Sequence, residues 1–284
     1  MSDTTPSSAL QEIVEYRGVS DLVAAEVLVD DNSSEEGHGY VTGSVFAIAG
    51  IAEVSRTTDS SNEAHYYDNI PAVVVSNSSS DELTLTTSAI PFDVLAFITG
   101  QDYDAATGAM IEGARKLRYF ALGYRTKKTN GDEVYVWRLK GTFNIPDTTN
   151  STENDSTDAN GQELVYTGIS TTHKFTKTGK GAKALNVDCG KELANVTNFF
   201  SNVTTPDTLT AKTSYKLTIS EAANTTITVK RNGQTLANND NIYAGDQLLI
   251  TVTGGTLTVG GVAFTSGDIH VVTAATTVAS TASA

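Results

Sequence analysis

One cysteine, Cys189, stands in a chain of 284 residues, so no internal disulfide can form and the bridged scaffolds of small secreted domains are excluded. Basic residues are scarce too: 19 Lys and Arg stand against 33 Asp and Glu, a formal net charge of −14. Proteins that grip nucleic acid do so with cations that release counterions from phosphate, which sets that class aside. An acidic wall past which nucleic acid slides remains compatible. No apolar run approaches the ~18 residues of a membrane-spanning helix. The opening Met1-Ser2-Asp3-Thr4-Thr5-Pro6 has neither the basic start nor the apolar core of a signal peptide. The expectation is a soluble protein, with no membrane partner, that folds in a reducing cytoplasm.

Motifs that carry chemistry are missing as well. His38, His65, His173 and His270 are scattered, with no pair three to five residues apart, so no zinc or iron site is readable. There is no Gly-x-Ser-x-Gly elbow, no Gly-x-Gly-x-x-Gly and no HExxH. Thr178-Gly179-Lys180 lacks the upstream Gly that a phosphate loop requires. The run from Ser156 to Gly161 departs from a calcium loop at its first position and again at Thr167, where a bidentate Glu belongs. Cys189 has no activating neighbour in sequence and reads as an idle thiol. No enzyme, metal or cofactor is expected.

What is present is β-forming. Thr, Ser and β-branched residues crowd short runs separated by Gly, Asn and Asp, with only two Met and one Trp, which predicts a mainly β chain. The stretch from Ala89 to Pro146 organises the rest. Ile90 to Thr99 reads as a short helix, with Ser88 as a possible cap, Pro91 early and Gly100 as the exit. Leu117 to Ile145 reads as a two-stranded hairpin turning at Asn130-Gly131.

Before this stretch, residues 1–15 are expected to be a mobile arm. Tyr16 to Val29 is a strand or a helix, and Asp30 to Gly37 a solvated acidic loop. A strand region begins at Tyr40, Thr57 to Asn69 reads as a long polar loop, and Val73–Val75 and Leu83–Thr86 as strands around a turn at 76–81. After the hairpin come an acidic loop from Asp147 to Glu163, a strand pair formed by Leu164–Ser170 and His173–Thr176, and a basic turn carrying Lys174, Lys177, Lys180 and Lys183. That turn either pairs with acidic loops of a neighbouring subunit or is solvated. Lys191 to Val203, with Leu193, Val196, Phe199 and Phe200 at helical spacing, predicts a second helix. The composition changes at Thr208, so 208–284 is expected to be a separate small β-domain with hairpin turns at Asn232-Gly233 and Gly260-Gly261 and a frayed tail from Ala274.

In order along the chain stand Glu53-Val54-Ser55, Tyr66-Tyr67-Asp68-Asn69, and the helix end Ile98-Thr99-Gly100 with Asp104 and Gly108 behind it. Phe120-Ala121-Leu122-Gly123-Tyr124, Val136-Trp137, Lys140-Gly141-Thr142-Phe143, Pro146, Tyr166-Thr167-Gly168 and Lys174-Phe175 follow. Carrying this ordered set, the stretch from about Ala49 to Pro206 resembles the major tail proteins, or tail tube proteins, of long-tailed bacteriophages of Gram-positive bacteria. The resemblance implies a β-sandwich flanked by a short α-helix over residues 16–207, six copies closing into a ring, and rings stacking into a tube. The genome would pass through it without specific binding. It further implies an inner barrel built from subunit hairpins, for which Tyr119, Phe120, Tyr124, Tyr135 and Trp137 are the candidates. Tyr66, Tyr67, Asp68 and Asn69 become candidates for contact with the adjacent ring, with residues 1–15 and 189–206 as further contacts. Other partners would be tail proteins: the tape measure, the terminator and the distal tail or baseplate. The small C-terminal β-sandwich resembles the immunoglobulin-like modules appended to tail exteriors, and the virion tail would be assembled in the host cytoplasm. The competing reading is a surface adhesin or carbohydrate-binding protein with immunoglobulin-like modules, which the missing secretion signal disfavours.

Overall fold

The computed structural model describes residues 13–67, 70–147 and 161–282, with the backbone alone between 59 and 79. It is mainly β and divides into two units, the boundary falling between Thr210 and Ala211.

The first unit begins with β1 (Tyr16–Asp30), β2 (Tyr40–Thr42), β3 (Phe46–Ala47), β4 (Ile51–Tyr67) and β5 (Ile70–Thr87). Helix α1 (Phe92–Thr99) and the small hairpin β6 (Asp102–Asp104) and β7 (Ala109–Ile111) follow. The main hairpin is β8 (Phe120–Lys128) and β9 (Glu133–Phe143), and the unit closes with β10 (Gln162–Gly168) and β11 (Ala184–Asp188). Nine strands form one sheet in the order β2-β1-β8-β9-β10-β5-β4, with β11 added to β9 and β3 to β1. Residues from near both ends of that order, Leu22 and Ala24 of β1 and Leu83 and Leu85 of β5, share a core with Phe120, Phe143, Tyr166 and the helix. The sheet therefore curls over its own core in the manner of a sandwich.

The central hairpin is buried on both faces, which explains its nearly unbroken apolar and aromatic sequence. Phe120, Leu122 and Tyr124 face the core under α1, whereas Ala121 faces a second core with Trp137, Leu139, Phe175 and Phe199. A bulge gives β9 one extra residue between the pairs Leu122↔Arg138 and Phe120↔Gly141. It flips the alternation, so that Leu139 and Phe143 lie in opposite cores despite their even spacing. Gly123 admits the Trp137 ring: a Cβ there would stand 2.9 Å from it and 2.8 Å from Val23. At Gly141 a Cβ would strike the Thr167 carbonyl and the ring of Tyr166, which is fully buried and donates its hydroxyl to the Phe120 carbonyl at 2.9 Å. Gly141→Ala is accordingly expected to destabilise the unit by about 1–3 kcal/mol, read as a lower urea midpoint.

Helix α1 starts at Phe92, with Pro91 at the cap position and no side-chain cap, and ends on left-handed Gly100. Ile90, Leu95 and Ile98 are buried as the periodicity predicts, and Val94 packs against them half-buried. Residues 16–29, open between a strand and a short helix from sequence, belong to strand β1. Several expectations are corrected. The expected loop at 57–69, as far as Tyr67, and the expected turn at 76–81 are instead strand, β4 and β5, because Thr, Ser and Asn runs pair their backbones without showing any apolar alternation. Residues 173–176 do not pair with β10, whose neighbours are β5 and β9, since the amides of Thr172, His173 and Lys174 bond the side chains of Asp30 and Asn32. The expected helix at 191–203 is a short 3-10 turn, Cys189–Lys191, followed by turns. There Asn195 accepts from the Thr197 amide, and the Phe199 carbonyl takes Trp137 Nε1 at 2.8 Å and Thr204 Oγ1 at 3.0 Å, bonds that compete with a helical ladder.

The second unit contains β12 (Ser214–Ser220), β13 (Thr226–Arg231), β14 (Gln234–Leu236), β15 (Asn241–Tyr243) and β16 (Gln247–Thr253). After these come β17 (Gly255–Val259), β18 (Val262–Phe264), β19 (Ile269–Val271) and β20 (Thr276–Ala282). A five-stranded sheet, β15-β12-β20-β17-β18, packs against a four-stranded one, β14-β13-β16-β19, through Leu217, Val229, Ile250, Leu257 and Val278. Both expected turns are there: Asn232 and Gly233, and Gly260 and Gly261, all have positive φ between paired strands. The expected frayed tail is instead β20, a central strand parallel to β12 and antiparallel to β17, because alternate residues Thr276 and Val278 enter the core.

Candidate assembly surfaces

The long β4–β5 hairpin is the feature most unlike a self-contained domain. Strand β10 pairs with β5 only over residues 81–87, yet β4 and β5 continue pairing out to Tyr67↔Ile70. Residues 60–67 and 70–78 pair with one another alone among the described backbone pairs, a two-stranded ribbon of roughly 25 Å at 3.3 Å per residue. A ribbon of two strands is marginal in water by itself and exposes both outer rows of backbone groups. Tyr66 and Tyr67 lie at its end, paired with Pro71 and Ile70, whereas Asp68 and Asn69 fall outside the described residues.

Where the ribbon leaves the sheet, Asp81 anchors it. Its carboxylate is almost fully buried and meets Arg138 Nη1 at 3.0 Å, Lys183 Nζ at 3.6 Å and Arg56 Nη1 at 4.0 Å. Arg138 is equally buried, and its Nε has no hydrogen-bond partner. A second anchor joins the end of β1 to the segment after β10. Asp30 Oδ2 accepts from Lys140 Nζ at 2.6 Å and from the Thr172 amide, while Oδ1 accepts from the His173 amide. The expected solvated loop at 30–37 is thus partly a clamp. Partial burial works to raise the Asp30 carboxyl, but Lys140 and the two amides together hold it below the usual carboxylate range. Asp31 is held at about 2, mainly by the Gly39 amide and then by the His38 ring, against slight desolvation. A carboxylate depressed in the folded state contributes stability above its unfolded pKa and loses it as pH falls. The unfolding midpoint is therefore expected to drop from about pH 4 towards about pH 2. The Asp30→Asn, Asp31→Asn variant should show a flatter acid limb in thermal melts across that range.

The main-hairpin candidates serve two environments. Phe120 and Trp137 are completely buried and Tyr124 nearly so. Tyr119 is half-exposed under Lys140, whose Nζ lies 4.9 Å from its ring, and Tyr135 is half-buried beneath Arg125 at the same distance. Sequence reasoning missed Asp81, Arg138, Asp30 and Lys140. The available signal was a charge inside a strand run, as Arg138 is in Val136-Trp137-Arg138-Leu139. The Cys189 thiol is half-buried, and burial pushes it up, away from a reactive thiolate.

A curled β-sheet extended by a two-stranded ribbon, with no further backbone partner among the described residues, offers long edges for contact with other chains. The model of the phage tail tube protein family matches residues 42–188, 147 of the 284, a span that runs from the end of β2 through β11. The chain belongs to that family and is a structural component of the virion tail. No curated protein matches the sequence.

Proposed function

We propose that the chain closes into hexameric rings that stack into the tail tube of a long-tailed phage of Gram-positive bacteria, and that the genome passes down the bore into the host. The β4–β5 ribbon carries this reading: a two-stranded extension with open edges on both sides gains stability by docking on the adjacent ring. Strands β2 and β4 end the sheet order of the first unit, and ring closure would pair or cover such edges. The net charge of −14 suits a bore that repels phosphate and does not trap it. Within this reading the β8–β9 hairpin contributes to the inner barrel through its partly exposed side chains, and Phe120 and Trp137 support it from inside the subunit. Residues 211–284 form an immunoglobulin-like module on the tube exterior, and the other tail proteins cap and terminate the stack. Negative-stain electron microscopy of the purified protein tests the proposal: rings with six-fold symmetry or hollow tubes are expected, and a monomer at every concentration overturns it.

A further inference from the structure

An exposed acidic row stands at the start of β10, and a lysine-rich knuckle follows its end. At one end Glu163 of β10, Thr86 of β5 and Glu53 of β4 stand in a single cross-strand row, so both glutamates share a face. Asp147 bridges to Glu163, and all three carboxylates are exposed. From Asp147 to Glu163 the sequence holds five carboxylates and no Lys or Arg. The other end lies five residues along β10, about 17 Å away at 3.3 Å per residue, where Gly168, Asp81 and Thr58 share a row.

Beyond Gly168 the chain makes a rigid basic knuckle. Phe175 is buried and plugs it into the second core, with its ring edge-on to Tyr40 and His173. The Phe175 and Lys180 backbones bridge each other. Asn32 holds the Lys174 amide, and both oxygens of Asp207 are spent on the Thr176 and Lys177 amides. Lys174, Lys177 and Lys180 are exposed on this fixed frame, in a run from 174 to 183 that contains four lysines and no carboxylate. Holding the backbone with side chains from 32 and 207 removes the ordering cost that a flexible basic loop would meet on binding.

We propose that these ends are complementary contacts between successive copies, with the Lys174, Lys177 and Lys180 knuckle of one copy receiving the acidic end, Glu53, Asp147 and Glu163, of the next. The two patches are different surfaces of one copy, so the contact is heterologous, the kind that propagates into an open filament when it does not close into a ring. This rests on the tube reading above and adds to it the residues that fix stacking polarity.

Reversal of either end tests it. Lys174→Glu, Lys177→Glu, Lys180→Glu in one protein, and Glu53→Lys, Asp147→Lys, Glu163→Lys in another, are each expected to form rings but at least about ten-fold fewer stacked tubes than wild type, counted by microscopy. Combining all six changes in one chain restores opposite charges at every junction, and mixing the two variants restores them wherever unlike copies meet; both are expected to restore tubes. Wild-type tubes should also shorten in 1 M NaCl, where screening acts within about 3 Å. One-ended variants that stack like wild type overturn the inference and leave the tube reading intact, as does failure of both complementary combinations to restore stacking. Wild type that makes no rings removes the tube reading itself. Should a reversal prevent folding, the neutral set Lys174→Gln, Lys177→Gln, Lys180→Gln decides: stacking equal to wild type, with wild-type tubes indifferent to salt, overturns the proposal.

Discussion

Replacing residues 61–77 with an Asn-Gly pair is expected to leave a folded subunit that no longer makes tubes. The change keeps the Ser60↔Ser78 pair as the last rung and closes it with a tight two-residue turn, so every rung shared with β10 survives. All described members of the two cores of the first unit lie outside the replaced residues, so the cooperative unfolding transition should be retained. What disappears is the ribbon, whose edges have no described backbone partner within the subunit. Sedimentation velocity separates the outcomes: small species at concentrations where the full chain polymerises are expected. Tubes of ordinary length would show that the ribbon is dispensable.

Asp81→Ala is expected to cost about 3–5 kcal/mol of unfolding free energy, the penalty for leaving a buried partner charge uncompensated. Arg138 is almost fully buried and already carries one unpartnered Nε, so the loss of the carboxylate strands its guanidinium. The variant Asp81→Leu, Arg138→Met removes both charges and should recover much of that loss, because two well-packed apolar side chains replace a pair that was costly to desolvate. Urea titration followed by the fluorescence of buried Trp137, the single tryptophan, measures both proteins. A midpoint for Asp81→Ala within error of wild type would remove Asp81 as the anchor of the ribbon.

The readable parts of the fold were those in which side-chain pattern and local geometry agree. Helix α1 showed its apolar stripe and its Gly100 exit, and the β8–β9 hairpin showed its aromatic strands and its Asn130-Gly131 turn. Polar strands look like loops in sequence, since Thr57 to Tyr67 pairs through its backbone and offers no hydrophobic rhythm. The segment 191–203 erred in the other direction. Its apolar residues recur at helical spacing, but Phe199 is held by Trp137 Nε1, a bond 62 residues distant in sequence. Of the candidate surfaces, the basic run from Lys174 to Lys183 was visible as composition; its frame of Asp30, Asn32 and Asp207 was not, because those residues come from distant parts of the chain.

By itself the sequence determined a mainly β protein without disulfides, strongly acidic and punctuated at Asn-Gly and Gly-Gly turns, since composition and two-residue turn chemistry are local properties. Only the tertiary structure decided that β4 and β5 pair as one long hairpin running past their sheet, that β20 is a central strand, and that the acidic row at the start of β10 is followed beyond its end by a lysine-rich knuckle. Those outcomes depend on which strand lies beside which. Backbone pairing is nearly indifferent to side-chain identity, so neighbours far apart in the chain leave little trace in the order of its residues.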